Sequence, residues 1–155
     1  MKKITLIFIC IVFIASVLMV NFFGLEYKVY NEYIFANKIE IQAVQVGPSS
    51  QITKQEEKNG TLWIYVTFTQ NYDSNDETKT AVMLVPRILP DNTSDKSLNY
   101  VYDKNYTKAY FIEDAPIPTI VFKEMPTAFT FSLRANDNGG AETKIRIIAT
   151  LDLVE

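Results

Sequence analysis

The chain begins with an apolar segment, residues 4–20 (ITLIFICIVFIASVLMV), which follows two lysines. This run of 17 residues has no charged side chain, so as a helix it has no polar face and only apolar surroundings can cover it. The sequence NFFGL extends the run to 22 residues when one asparagine is tolerated, and about 20 residues suffice to cross a bilayer. We therefore expect an N-terminal transmembrane helix that contacts lipid through residues 4–25.

A cleaved secretory signal is the alternative interpretation of this segment. Signals have a shorter apolar core, of about 7 to 15 residues, and end in small residues at alternate positions. Here Phe13 stands two positions before Ala15, and Phe22 stands two positions before Gly24, so neither place fits a cleavage site. The segment is predicted to be a retained, uncleaved anchor, with secretion after cleavage as the alternative.

The residues that flank the apolar run predict its orientation. Lys2 and Lys3 precede it and Glu26 follows it, so the positive-inside tendency predicts a cytoplasmic N-terminus and an extracytoplasmic domain. The run is therefore interpreted as the anchor of a single-pass protein. We divide the chain into an anchor over residues 1–25, a juxtamembrane helix or linker over 26–38, and a β-sandwich domain over 39–155.

Three tyrosines follow the apolar run at intervals of three residues. At this spacing Tyr27, Tyr30 and Tyr33 fall along one side of a continuing helix. Tyrosine is enriched at the boundary between membrane and water. We predict these three as membrane-interface residues; the alternative is that they pack on the following domain.

The periodicity of the sequence changes to two from residue 39 onward. In residues 61–70 (TLWIYVTFTQ), Leu62, Ile64, Val66 and Phe68 form an apolar face, which is typical of a strand with one buried side. Seven or eight such segments with turn residues between them predict an antiparallel, immunoglobulin-like β-sandwich, with a small β-barrel as the second choice.

Several local features of these strands are also predicted. A slip in the alternation at Ala43 and Val44 indicates a bulge, and Pro86 restricts its strand to an edge or a bulge. Residues 47–60 are polar, are not predicted as a strand, and close with an Asn59-Gly60 turn signal. Residues 98–103 and 106–113 are interpreted as a hairpin over Lys104 and Asn105.

The residue types outside the apolar run exclude several chemistries. The chain has no histidine, and its one cysteine, Cys10, lies inside the run. The chain therefore lacks the residues for a Ser-His-Asp or a Cys-His catalytic site. It also lacks the residues for a metal site built from Cys and His. Beyond Lys2 and Lys3 the chain carries 13 bases and 18 acids, an acidic balance that disfavours nucleic acid. We expect no enzymatic activity, no cofactor and no metal.

The densest aromatic cluster lies in residues 99–111 (NYVYDKNYTKAYF). Its tyrosines alternate with lysines and offer rigid, amphipathic area for a partner or ligand. The alternative is that one face of the cluster packs inside the sandwich. The candidate surface consists of Tyr100, Tyr102, Tyr106, Tyr110, Lys104 and Lys108.

The anchor and the missing catalytic residues together predict a function. We expect a non-enzymatic, membrane-anchored, extracytoplasmic interaction module, a subunit or accessory of an envelope assembly with an unidentified envelope protein as partner. The MKK start and the many Asn, Lys and Ile residues look bacterial, which places it in the periplasm or at the outer surface. The alternative is a sandwich that binds glycan or cell wall through residues 99–111.

Overall fold

The computed structural model describes residues 2–22, 32–69, 76–113 and 115–152. It divides into two compact units, Met1–Glu32 and Tyr33–Glu155. The first contains helix α1, Lys2–Phe22. Among the described residues, no helix combines the length and the hydropathy of a membrane span.

The second unit is mainly β. In the described part of the chain its elements are β1 Lys38–Val46, β2 Ser50–Lys58, β3 Thr61–Phe68, α2 Glu77–Thr80, β4 Ala81–Leu89, β5 Leu98–Tyr102, β6 Ala109–Phe111, β7 Thr119–Phe122, β8 Thr127–Ala135 and β9 Glu142–Leu151. They form a four-stranded sheet in the order β1-β4-β7-β6 and a five-stranded sheet in the order β2-β3-β9-β8-β5.

The two sheets share one apolar core. Ile64 and Val66 of β3, Leu84 of β4 and Ile145 of β9 are fully buried, which is the inward half of the period-two pattern. The rings of Phe68 and Phe122 meet between the sheets, with centroids 6.0 Å apart. The prediction of a mainly β sandwich is confirmed.

The strand pairing contains one exception to the antiparallel arrangement. β3 and β9 run parallel, in a continuous register from Thr61 opposite Lys144 to Phe68 opposite Leu151. The other strand pairs of the described residues are antiparallel. A fully antiparallel sandwich was therefore too simple a prediction.

The local predictions for β1 and β4 are confirmed. The register between these strands shifts between Ile41 and Ala43, at the predicted bulge. Pro86 pairs with Ile41 at the edge of that shift, and β7 pairs with β4 only as far as Met83. Because the pairing of β4 is already interrupted at Pro86, the missing N–H of this proline does not break a continuous ladder of hydrogen bonds.

The polar residues before the Asn59-Gly60 turn are a strand, not a loop. β2 pairs with β3 along its length, with a register shift between Ile52 and Lys54. Asn59 and Gly60 both have positive φ, as a two-residue hairpin turn requires. This strand was not predicted because β2 is a mostly exposed edge strand and needs few apolar residues.

The predicted hairpin of residues 98–113 was also wrong. β5 pairs with β8 in the five-stranded sheet, and β6 pairs with β7 in the four-stranded sheet. The intervening residues cross from one sheet to the other. Two strands with one apolar face each have the same sequence pattern whether they are neighbours in a sheet or face each other across a core.

The linker predicted over residues 26–38 is described from residue 32 onward. Residues 32–37 have no helical structure, and β1 already begins at Lys38. The juxtamembrane helix is thus not found in residues 32–37, and residues 26–31 lie outside the described residues.

Candidate functional site

Two of the candidate tyrosines, Tyr100 and Tyr102, pack against the core. The Tyr100 ring lies parallel to the Phe111 ring, with centroids 4.9 Å apart, and the Tyr102 centroid lies 5.0 Å from that of Phe111. Tyr102 also meets Phe129 edge-on at 5.9 Å. Burial raises the pKa of the Tyr100 hydroxyl. These rings join β5 of one sheet to β6 of the other.

Tyr106 fastens the segment that crosses between the sheets. Its ring lies 5.4 Å from that of Phe129. Its hydroxyl bonds to the Thr127 hydroxyl and donates to the Ala128 carbonyl oxygen at 3.1 Å. The turn before it is held by Asp103, whose carboxylate accepts from the Asn105 amide at 2.9 Å. Tyr106 therefore has a structural role that its sequence position did not reveal.

The remaining residues of the candidate surface are more exposed. The Lys123 ammonium lies 4.6 Å from the centre of the Tyr110 ring, and Lys108 pairs with Glu124 at 3.3 Å. Lys104 is exposed in the turn that follows β5. The structure thus turns three of the four tyrosine rings toward the core and leaves Tyr110 with the lysines outside.

Of the three predicted interface tyrosines, Tyr33 lies within the described residues, and Tyr27 and Tyr30 do not. Its ring and that of Phe35 are 47 % and 48 % exposed and touch at a centroid distance of 4.8 Å. Partial burial and the carboxylates of Asp95 and Asp137 raise the pKa of Tyr33. Two adjacent aromatic rings therefore project from the start of the sandwich.

The backbone between these two rings is fixed to the domain. The Ile34 amide donates to the Ser94 hydroxyl, and the Ser94 amide donates to the Ile34 carbonyl, both at 2.9 Å. The Ala36 amide donates to the Asp137 carboxylate. A Cβ atom at Gly139 would overlap the Ala36 carbonyl oxygen and lie 2.9 Å from the Phe35 Cβ atom. Only glycine allows this close approach.

A second aromatic cluster lies on the outer face of the five-stranded sheet. In β3 the buried Ile64 and Val66 alternate with Trp63 and Tyr65, which are half-buried on the opposite face. Their rings stack at 6.5 Å with 26° between the planes. Arg146 of β9 pairs with Trp63 on one side, and Glu56 of β2 pairs with it on the other.

Two cations contact the Trp63 ring. The Arg146 guanidinium carbon lies 4.7 Å from the ring centre, and the Lys58 ammonium lies 5.4 Å from it. A third, the ammonium of Lys54, lies 5.7 Å from the centre of the Tyr65 ring. The negative faces of the rings attract these charges. We call this group the Trp63 patch: Lys54, Glu56, Lys58, Trp63, Tyr65 and Arg146.

Glu56 is the one carboxylate of the Trp63 patch. It pairs with Lys54 at 2.7 Å and with Lys58, and it accepts a hydrogen bond from the Tyr65 hydroxyl at 2.9 Å. The hydrogen bonds from Lys54, Lys58 and Tyr65 lower its pKa to about 2. One negative charge is therefore shared between two lysines.

Arg146 differs from the lysines because no carboxylate of the described residues pairs with it. Its Nε atom is buried and has no hydrogen-bond acceptor among those residues. The guanidinium thus lies on the Trp63 ring, and no carboxylate of the described residues neutralises its charge. Such a group is suited to bind an anion.

Sequence reasoning noticed the alternation in β3 but missed the patch. The residues that surround Trp63 come from β2, which was not predicted as a strand, and from β9, which is distant in sequence. The available signal was the single tryptophan of the chain on the polar face of a strong strand.

Comparisons with known proteins give no relative for this chain. No family model matches it, and neither a curated protein nor a solved structure is significantly similar to it. Within the described residues, no group of three or more acidic, Cys or His side chains is placed to hold a metal ion.

Proposed function

We propose that this protein is a non-enzymatic interaction module, held at a membrane by its N-terminal segment and acting as a subunit or accessory of a bacterial envelope assembly. The observation that carries the proposal is the surface of α1. Apart from Thr5 and Ser16, the exposed side chains described for this helix are apolar. They lie on every side of the helix and include Ile7, Phe8, Ile9, Ile11, Val12, Phe13, Ile14 and Val17. A helix that is apolar all round needs an apolar environment, which the acyl chains of a bilayer supply.

The strand order supports an immunoglobulin-like sandwich as the displayed domain. The order β1-β4-β7-β6 corresponds to A-B-E-D of an immunoglobulin domain, and β9-β8-β5 corresponds to G-F-C. The β2–β3 hairpin extends the second sheet, with β3 parallel to β9. The two free edges of each sheet argue against the alternative of a closed barrel.

The residue types of the domain support binding rather than catalysis. It has no histidine and no thiol, so the usual groups for proton transfer at neutral pH and for nucleophilic attack are missing. The exposed Tyr33 and Phe35 rings stand at the start of the sandwich. Aromatic rings at this position suit the membrane boundary that we propose for this end.

Alkaline carbonate extraction of membranes tests the anchor. We expect the full-length chain to stay in the membrane pellet. As a matched variant, Ile11→Asp and Ile14→Asp together place two charges in the helix and should release the protein into the supernatant. A mature chain that begins near residue 25, or release of the unaltered protein by carbonate, would contradict the proposal.

The second candidate function is glycan or cell-wall binding through residues 99–111. The half-exposed Tyr110 ring beside Lys123 favours it, since an aromatic ring next to a cation suits an acidic sugar. Tyr110→Ala should then abolish retention on peptidoglycan at a temperature at which both chains are folded. Equal retention of the variant and the unaltered chain would exclude this function.

A further inference from the structure

The Trp63 patch combines features that a protein interface uses for its strongest contacts. Trp, Tyr and Arg dominate the binding energy of interfaces because they are large and rigid or make several hydrogen bonds at once. Here Trp63, Tyr65 and Arg146 lie next to one another on a flat sheet face. Their mutual stacking orders the side chains before a partner arrives, which lowers the entropy lost on binding.

The charge of the patch is opposite to that of the rest of the domain. Three cations and one carboxylate leave it with two positive charges in excess. The chain beyond Lys3 has five more acids than bases. A partner complementary to this positive charge presents carboxylates. Within the patch, Lys54 and Lys58 pair with Glu56, and Arg146 pairs with no described carboxylate.

The arrangement around the tryptophan favours a peptide over a sugar. Because β2 and β9 flank β3, Lys58 and Arg146 reach the Trp63 ring from strands on opposite sides of β3. A sugar needs a bare ring face on which to stack, whereas an acidic side chain binds the cations at the rim of the ring. The edge strand β2 carries Lys54, Lys58 and a bulge. Charged side chains and a bulge on an edge strand disfavour the pairing of a partner's strand with that edge.

We propose that the Trp63 patch is the partner-binding site of this protein and that it takes an extended acidic segment of a partner protein. One carboxylate of that segment binds the Arg146 guanidinium, a second binds Lys58 in competition with Glu56, and an apolar side chain between them covers the edge of Trp63. This assignment rests on the proposed function, since it specifies the surface and the chemistry of the module's partner.

The single tryptophan of the chain makes this site directly observable. The full-length protein, purified in detergent micelles, is titrated with a short blocked peptide of alternating glutamate and valine while the fluorescence of Trp63 is recorded. We expect a saturable change in the emission that weakens as salt is raised. The same peptide with glutamine in place of glutamate should give none.

Two arginine variants provide the matched comparison. Arg134 lies on the neighbouring strand β8, exposed and paired with Glu142 at 2.9 Å, so Arg134→Gln removes the same charge as Arg146→Gln without touching the patch. Arg146→Gln should weaken the peptide about tenfold or more, and Arg134→Gln should change its affinity little. Equal affinities for the two variants, binding of the glutamine peptide, or the absence of a saturable change would overturn the assignment.

Photo-crosslinking in native membranes separates this assignment from the proposed function. A photo-reactive side chain replaces Lys144, which is exposed two residues before Arg146, or Gln45, which is exposed on β1 of the other sheet. A partner crosslinked from position 144 and not from 45 supports the patch. A partner crosslinked from 45 alone overturns the patch and leaves the interaction module intact, and the absence of any crosslinked partner from both positions contradicts the proposed function as well.

Discussion

Two regions of this domain combine the same residue types and differ in three dimensions. Both the Trp63 patch and residues 99–111 contain aromatic side chains together with lysines. In the second region Tyr100 and Tyr102 stack on Phe111 inside the sandwich. In the first region Trp63 and Tyr65 lie outside and stack with cations. Aromatic density alone therefore does not indicate a binding surface; the side of the sheet that the rings occupy decides.

The physical reason for this difference is the neighbouring residue pattern. The rings of β3 alternate with Ile64 and Val66, which are fully buried, so the core already has its apolar face. The rings of β5 alternate with Asn99 and Val101, which are exposed. In β5 the tyrosines themselves are the inward face.

The largest expected effect comes from Phe111, where the interior rings converge. Phe111 is 4 % exposed and contacts Tyr100, Tyr102, Phe129 and Phe131. Phe111→Ala should lower the free energy of unfolding by about 3–5 kcal/mol, because it removes a buried ring and leaves a cavity. Urea unfolding measures this, and a loss below about 1 kcal/mol would contradict an interior role for the cluster.

Trp63→Ala should have a smaller effect on stability. Its ring is half-buried and loses two cation–π contacts, so we expect a decrease of about 1–2 kcal/mol in the free energy of unfolding. The same variant should lose the acidic peptide in a calorimetric titration. If Trp63→Ala destabilised the domain as much as Phe111→Ala, the patch would be part of the core and the contrast between the regions would fail.

Tyr106→Phe tests the crossing between the sheets. The substitution keeps the ring on Phe129 and removes the hydroxyl that bonds to Thr127 and Ala128. We expect a loss of about 1 kcal/mol in the free energy of unfolding. Tyr102→Phe is the matched control, because the Tyr102 ring also packs on Phe129 and its hydroxyl has no hydrogen bond to the described residues. An equal loss in both variants would mean that the Tyr106 hydroxyl has no special role.

The smallest effect is the pH dependence that Glu56 contributes. Its pKa in the folded domain is lowered from 4.5 to about 2, so the carboxylate binds protons more weakly in the folded than in the unfolded chain. Its stabilising effect is therefore complete above pH 4.5 and disappears as the pH falls toward 2. Thermal midpoints of the unaltered chain and Glu56→Gln should differ at pH 6 and converge near pH 2.

A difference between these midpoints that persists at low pH would contradict the ion pairs of Glu56 with Lys54 and Lys58. Glu57→Gln is the control, since Glu57 is the neighbouring acid on the same strand and makes none of these ion pairs. It should show no convergence of this kind.

The sequence predicted the strands with a strong apolar face, and structure confirmed them. β3, β8 and β9 lie where the alternation indicated, and the Asn59-Gly60 turn follows from its residue types. The edge strand β2 was missed because an edge with both sides near water carries no period-two signal. The partners of β5 and β6 were missed because pairing between distant segments leaves no mark in either segment alone.

The two candidate surfaces differ in how far a single sequence can indicate them. The Tyr-rich segment was chosen by local density, and three of its rings face the core. Trp63, Lys58 and Arg146 come from three strands, and only the strand order β2-β3-β9 brings them together. A site of this kind follows from topology, which a single sequence does not specify.

The parallel pair of β3 and β9 also determines when the domain can form. Thr67 and Thr150 bond to each other across 83 positions of the chain, and β9 occupies the centre of the five-stranded sheet. β9 is the last of these strands to leave the ribosome. The pairing of β3 with β9, at the centre of the sheet, therefore forms only after β9 has been made. A domain that crosses a membrane in the order of its sequence would therefore remain unfolded in transit, because its five-stranded sheet lacks the middle strand until β9 has crossed.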